Sequence, residues 1–179
     1  LWDQLSPHIP AEIDRVLITG AFFDRELAFI KHIQRELNPK SIIVAIEPKT
    51  VSMPPKPGSI PNVSFVDIGK LGGRGEGYLH AKIMVFQKRD GTGVLVSGSA
   101  NPNRPAWLSD GGQGNIEMAV VRTGADIPTL ISFLGLDRFP EQPAISSGQW
   151  EQVVFASDSE FEGKSSCRTG TCLLDNNTV

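Results

Sequence analysis

A chain of 179 residues with 40% hydrophobic residues is long enough to bury one substantial core and short for two. Its formal net charge of -3, with 21% charged residues, excludes an overall basic field that would demand a nucleic-acid or acidic-membrane partner, though not a local basic groove. No apolar run reaches the ~18 residues of a bilayer span, and the start lacks the basic-then-apolar order of a secretory leader, so no membrane span and a cytoplasmic placement are expected.

Residues 16–19 are a short β-prone apolar run closed by Gly20, which predicts a strand. From Asp24, suited to an N-cap, Leu27, Ile30, Ile33 and Leu37 recur at helical spacing until Asn38 and Pro39 end the pattern. Residues 42–46 are apolar almost throughout, as in a strand covered on both faces. Strand, helix and strand make a βαβ unit with a parallel pair, which places the fold in the α/β class.

Pro48, Pro54, Pro55, Pro57 and Pro61 with Gly58 predict an extended surface loop. Residues 63–66 resume a strand. Gly72, Gly73, Gly75 and Gly77 then crowd around Arg74, but no Gly-Lys-Ser/Thr ending follows, so a connector fits better than a phosphate loop. Residues 78–86 and 94–97 are predicted as strands of a hairpin, joined at the Asp90-Gly91 turn signal. Residues 115–121 predict a further strand, and 127–136 a helix opened by Asp126 and Pro128. Residues 150–156 predict a last strand. No internal repeat is present.

The chain opens on Leu1 and closes in a polar tail, and so reads as a piece of a longer protein. The expected division is a domain over 1–156 and a polar tail or linker over 157–179. The 2 cysteines, Cys167 and Cys172, lie in that tail. A zinc site takes about four ligands and neither His nor further Cys lies near them, so a small disulfide loop or two inert thiols is expected, and no metal.

Chemistry concentrates in three short pieces: His80 with Lys82, Ser99 with Asn101 after Gly98, and Asn115 with Glu117. Side chains two apart on an extended backbone point the same way, so neighbouring strands would gather all of them. A phosphodiester repels nucleophiles by its own charge. Without a metal, its non-bridging oxygens need cationic and amide donors, which Lys82 and Asn101 supply. Neutral imidazole is nucleophilic near physiological pH, and His80 can form a covalent phospho-histidine that divides one displacement into two. Glu117 is suited to fix the histidine tautomer and to steady the positive charge that develops. Ser99 is a candidate phosphate contact or a strand end, and Asn115 a residue that orders the site. Gly98 either permits close approach of a ligand or satisfies a turn.

This pattern resembles the phospholipase D superfamily, whose motifs are His-x-Lys, then Gly-Ser-x-Asn, then Asn-x-Glu on a later strand. The resemblance runs from about Tyr78 to Val121. It implies a mixed β-sheet flanked by helices, forming one half of a two-motif or homodimeric enzyme, with a phosphodiester substrate and no cofactor. One departure stands out: the family's fuller signature has Asp five residues after the lysine, where this chain has Gln87. The tyrosyl-DNA phosphodiesterase branch also lacks that Asp, and Ser99 to Asn101 followed by Ala106 and Trp107 is similar to it. That favours nucleic acid over lipid. Asp90 is explained by its turn and does not replace the missing acid.

The family uses two histidines, one attacking phosphorus and one serving the leaving oxygen and the incoming water. His8 and His32 have no Lys two residues on and are expected to be ordinary structural residues. The second histidine is therefore expected from a homodimer partner across a two-fold axis or from a missing part of the parent chain. Trp107 would stack on a base or pack in the core, and Arg104 is a candidate to hold a phosphate. Lys88 and Arg89 are expected to be solvated at a hairpin tip. Rival functions are a non-catalytic phosphate- or nucleic-acid-binding module and a lipid-acting phosphatidyltransferase.

Overall fold

The computed structural model describes residues 1–54, 57–69, 71, 80–109 and 115–155. The glycine-rich stretch with Arg74, the two cysteines and the proposed tail lie outside these residues. A short helix α1 (Trp2–Leu5) precedes the first strand. Among the described residues the strands are β1 (Arg15–Thr19), β2 (Ser41–Ile46), β3 (Val63–Asp67), β4 (Ile83–Gln87), β5 (Gly93–Gly98) and β6 (Ala119–Gly124). They form a 6-stranded sheet in the order β3-β2-β1-β4-β5-β6. β1, β2 and β3 are parallel. β4 reverses against β1, and β5 and β6 continue antiparallel. The protein is thus α/β, a mixed sheet flanked by helices.

Both faces of the central strands are covered, which is why their sequences are apolar at successive positions rather than alternating. Val16 and Ile18 of β1, Ile42 and Val44 of β2, and Met84 and Phe86 of β4 pack on one face. They meet Phe29, Ile30 and Ile33 of α2 (Ala28–Leu37) and Trp107 of α3 (Arg104–Trp107). The intervening residues Leu17, Ile43, Val85 and Leu95 turn to the other face. There they meet Ile127 and Ile131 of α4 (Ile127–Phe133), and Leu136 and Phe139 of a 3-10 turn. Each such fully buried aliphatic side chain contributes about 1.5–3 kcal/mol.

The predicted βαβ unit is β1, α2 and β2. Its helix starts later than the pattern implied, because Leu27 adopts a left-handed conformation (φ 53) just before it. Asp24 still serves the helix start: its Oδ1 accepts from the Ala28 amide at 2.6 Å. Asn38 closes the helix in the left-handed region, as residues of its kind do when a side-chain amide tolerates positive φ.

Several boundaries differ from expectation. Of the strand predicted over 78–86, residues 78 and 79 lie outside the described residues, and residues 80–82 precede β4, which begins at Ile83 because its partner β1 ends at Thr19, opposite Ile83. β6 begins at Ala119 rather than at 115, since β5 ends at Gly98 opposite it, and it runs on to Gly124 against Gly93. The helix predicted over 127–136 stops at Phe133, and Gly135 (φ 70) turns the chain into the 3-10 segment Leu136–Glu141. Of the strand predicted over 150–156, Trp150 instead ends the short helix α5 (Ser147–Trp150), and among the described residues Val154 makes a single bridge to Ser52. A capping box between Ser146 and Gln149 starts that helix, a local signal stronger than the β-prone residues after it. The proline-rich loop is also more anchored than a surface loop: Val51 and Met53 are buried, and Ser52 bridges both Phe22 and Val154.

Candidate active site

The three chemical pieces fall at one end of the sheet because β4, β5 and β6 alternate in direction. Residues 80–82 lead into β4, residues 99–101 leave β5, and residues 115–118 lead into β6. Backbone bonds tie the pieces together beyond the strands. The Gly98 amide donates to the Lys82 carbonyl at 3.3 Å, and the Ser99 amide to the Met118 carbonyl at 2.9 Å. The Asn115 amide donates to the Pro105 carbonyl of α3 at 3.2 Å. Asp24 adds a brace from the other side of the fold, its Oδ2 accepting from the Arg104 amide at 2.9 Å. Asn103, the N-cap of α3, accepts from the Ala106 amide at 3.1 Å.

Ser99, Asn115 and Glu117 form one hydrogen-bonded group. The Ser99 hydroxyl donates to Glu117 Oε2 and accepts from the Met118 amide at 3.0 Å. Asn115 Nδ2 donates to Glu117 Oε1 at 3.2 Å. Both carboxylate oxygens are therefore engaged. Lys82 lies within the field of this carboxylate, and its amine donates to the His80 carbonyl at 2.8 Å. Partial burial lowers the lysine pKa from its ordinary 10.5, and the negative Glu117 opposes that shift without cancelling it. The exposed His80 ring sits edge-on to Phe22, from the loop after β1, with centroids 6.1 Å apart.

Asn101 lies between the buried Ala100 and Pro102, and its Oδ1 is buried without a hydrogen-bond partner. Thr19, at the end of β1, is in the same position: 2% exposed, with an unpartnered hydroxyl. Sequence reasoning passed over it. The signal was a single hydroxyl residue closing an otherwise apolar buried run, directly before a glycine.

Gln87 occupies the opposite end of β4 from the histidine motif. Five residues of extended chain separate it from Lys82, about 17 Å at strand rise. Its side-chain amide donates to the Gly91 carbonyl at 3.2 Å and so holds the β4–β5 turn. Asp90 is likewise a turn residue, accepting from the Thr92 amide at 3.0 Å and hydroxyl at 2.6 Å.

Trp107 is 2% exposed and stacks on Phe29, with centroids 5.1 Å apart and planes 14° from parallel. It packs; its face is not offered to a base. The Arg104 side chain is exposed and lines a separate cavity of about 440 Å³ with Lys31, His32 and Arg35. His32 stands edge-on to Trp2 at 4.8 Å, and its Nδ1 accepts from Arg35 at 3.1 Å. His8 ends the 3-10 turn Ser6–His8. No helix among the described residues is long and apolar enough to cross a membrane.

Fold and site together define an α/β protein that gathers a histidine, a lysine, asparagines and a carboxylate at one end of a mixed sheet. Among solved structures, it is similar to a point mutant of yeast tyrosyl-DNA phosphodiesterase 1. Identity is 15%, coverage 81% of this chain and 36% of that one, and the TM-score 0.45. A structure of yeast tyrosyl-DNA phosphodiesterase is similar at 17% identity, 82% and 36% coverage and a TM-score of 0.44. The chain spans about a third of the length of the chains it matches. No protein-family model and no curated protein sequence matches it.

Proposed function

We propose that this chain is one catalytic half of a metal-independent phosphodiesterase working through a phospho-histidine on His80, on nucleic acid in preference to lipid. The observation that carries the reading is the meeting of residues 80–82, 99–101 and 115–117 at one sheet end, with Lys82 facing Glu117. An imidazole nitrogen of His80 attacks phosphorus, forming a P–N bond as the bond to the leaving oxygen breaks. The leaving oxygen takes a proton from a second histidine, supplied by a second copy of the chain or by a further part of the parent. Water then attacks phosphorus, gives its proton back to that second histidine, and releases the phosphate ester from His80. Lys82 and the Asn101 amide hold the non-bridging oxygens, whose charge grows in the transition state. Glu117, oriented by Ser99 and Asn115, keeps Lys82 protonated. The preference for nucleic acid rests on the sequence around Ser99 and Asn101.

The test is turnover of short single-stranded DNA against phosphatidylcholine, with and without chelator, by the assembled protein and its His80→Ala variant. Cleavage of DNA that survives chelator and disappears in the variant supports the proposal. Cleavage of lipid alone reassigns the substrate, chelator-sensitive cleavage removes the mechanism, and DNA binding without turnover favours a binding module.

A further inference from the structure

The Arg104 side chain stands apart from the reactive cluster, yet its backbone is tied to it. Its α-carbon lies three residues from that of Asn101, a span of at most about 11 Å. The neighbouring Pro105 carbonyl accepts from the Asn115 amide, and Asp24 takes the Arg104 amide, so the start of α3 is held from two sides. The guanidinium lines a cavity of about 440 Å³ bordered by α1, α2 and α3, a size within the range of small-ligand sites. Trp107 borders both this cavity and the small pocket beside Lys82. Lys31 and Arg35 of α2 join Arg104 in the lining, against the carboxylates of Asp3 and Glu26. His32 lines it too, and burial lowers its pKa, so the ring adds no charge near neutral pH. Positive charge is therefore in excess here, on a chain whose formal net charge is -3. Lys31 and Arg35 stand one helical turn apart, a like-charge spacing that costs a helix stability. Glu36 answers Arg35 at 3.0 Å, but Lys31 and Arg104 enter no ion pair among the described residues. A bound anion would satisfy both.

We propose that this cavity is a second phosphate subsite, in which Lys31 and Arg104 hold a backbone phosphate of nucleic acid other than the one that reacts at His80. The substrate class rests on the proposed function. Arg104 offers paired N–H donors to the phosphate oxygens and Lys31 a compact point charge. The charge of that phosphate does not change during the reaction, so the two cations contribute to binding and not to the chemical step.

The test is the salt dependence of binding, read by titrating a short fluorescent single-stranded DNA with the assembled protein. Each cation that neutralises a phosphate of a single strand contributes about 0.7 to the slope of log binding constant against log salt concentration. The double variant Lys31→Gln with Arg104→Gln should therefore lose roughly 1.4 from that slope. Its KM for DNA should rise by a larger factor than its kcat falls. Exchanging the cations, Lys31→Arg with Arg104→Lys, should restore the parent slope. Lys88→Gln with Arg89→Gln removes the same charge from the turn after β4, at the opposite end of that strand from His80, and should leave the slope as it is. An unchanged slope in the cavity variant, or an equal fall in the turn variant, overturns the subsite. Loss of binding to phosphatidylglycerol vesicles in the cavity variant, with DNA binding intact, also overturns it. A parent that binds no DNA removes the nucleic-acid reading and the subsite with it. A slope that falls as expected in a protein that cleaves nothing upholds the subsite and removes the phosphodiesterase.

Discussion

Ser99 and Glu117 meet across the end of the sheet, the serine hydroxyl donating to a carboxylate that Asn115 holds from its other side. The carboxylate is thereby aimed at a fixed place, and the place that feels its charge is Lys82. The first prediction follows from the sign of that interaction. Lys82 must be protonated to hold a phosphate oxygen, and burial already lowers its pKa below 10.5. Turnover should therefore fall on the alkaline side as pH rises through a value below the ordinary lysine range. Glu117→Gln keeps the shape and removes the charge that retains the proton, so its pH profile should lose activity at still lower pH. For stability the sign is opposite: the folded chain sheds this proton before the unfolded one, so Lys82 favours folding increasingly as pH rises through its folded pKa.

Gly98 is required by backbone contact. A Cβ at this position would collide with the Met118 carbonyl oxygen of the neighbouring segment. Gly98→Ala must push residues 115–118 away from β5, and with them Asn115 and Glu117. The expected cost is about 1–3 kcal/mol by urea denaturation, together with loss of turnover well beyond what the residual folded fraction explains.

An aspartate placed at Gln87 is expected to leave catalysis unchanged. That position serves the turn at the far end of β4, through its bond to the Gly91 carbonyl. Gln87→Asp is expected to keep turnover within about twofold while lowering stability by about 1 kcal/mol through the lost hydrogen bond. A large gain or loss of turnover with stability unchanged would show that the site reaches this end of the sheet.

Trp107 separates packing from recognition. Because it is buried against Phe29, Trp107→Ala should cost about 3–5 kcal/mol of stability, as a large cavity does. Thermal unfolding reads this directly, and Trp107→Phe should recover most of it.

Much of this was legible in the residues. The β-prone run at 16–19 announced a strand, the near-continuous apolar run at 42–46 a strand covered on both faces, and the Asp90-Gly91 pair the β4–β5 turn. The cluster at the sheet end was legible as three motifs, because strand alternation converts sequence order into proximity once the hairpins are placed. What was not legible depended on partners. Where β4 and β6 begin is decided by where β1 and β5 end, which no local pattern encodes. Trp107 reads identically as a stacking platform or a core residue until Phe29 is seen against it. The Gln87 departure loses its weight only when the strand is seen to carry it away from the site.

The central claim is that His80 becomes covalently phosphorylated during turnover. The direct measurement is to quench the assembled protein with substrate in alkali, where a P–N bond persists, and to map the modified peptide by mass spectrometry. The account predicts a single acid-labile phosphoryl or phosphoryl-nucleotide adduct on His80, absent in His80→Ala. Turnover that proceeds at full rate with no adduct at His80, or with the adduct on another residue, contradicts it.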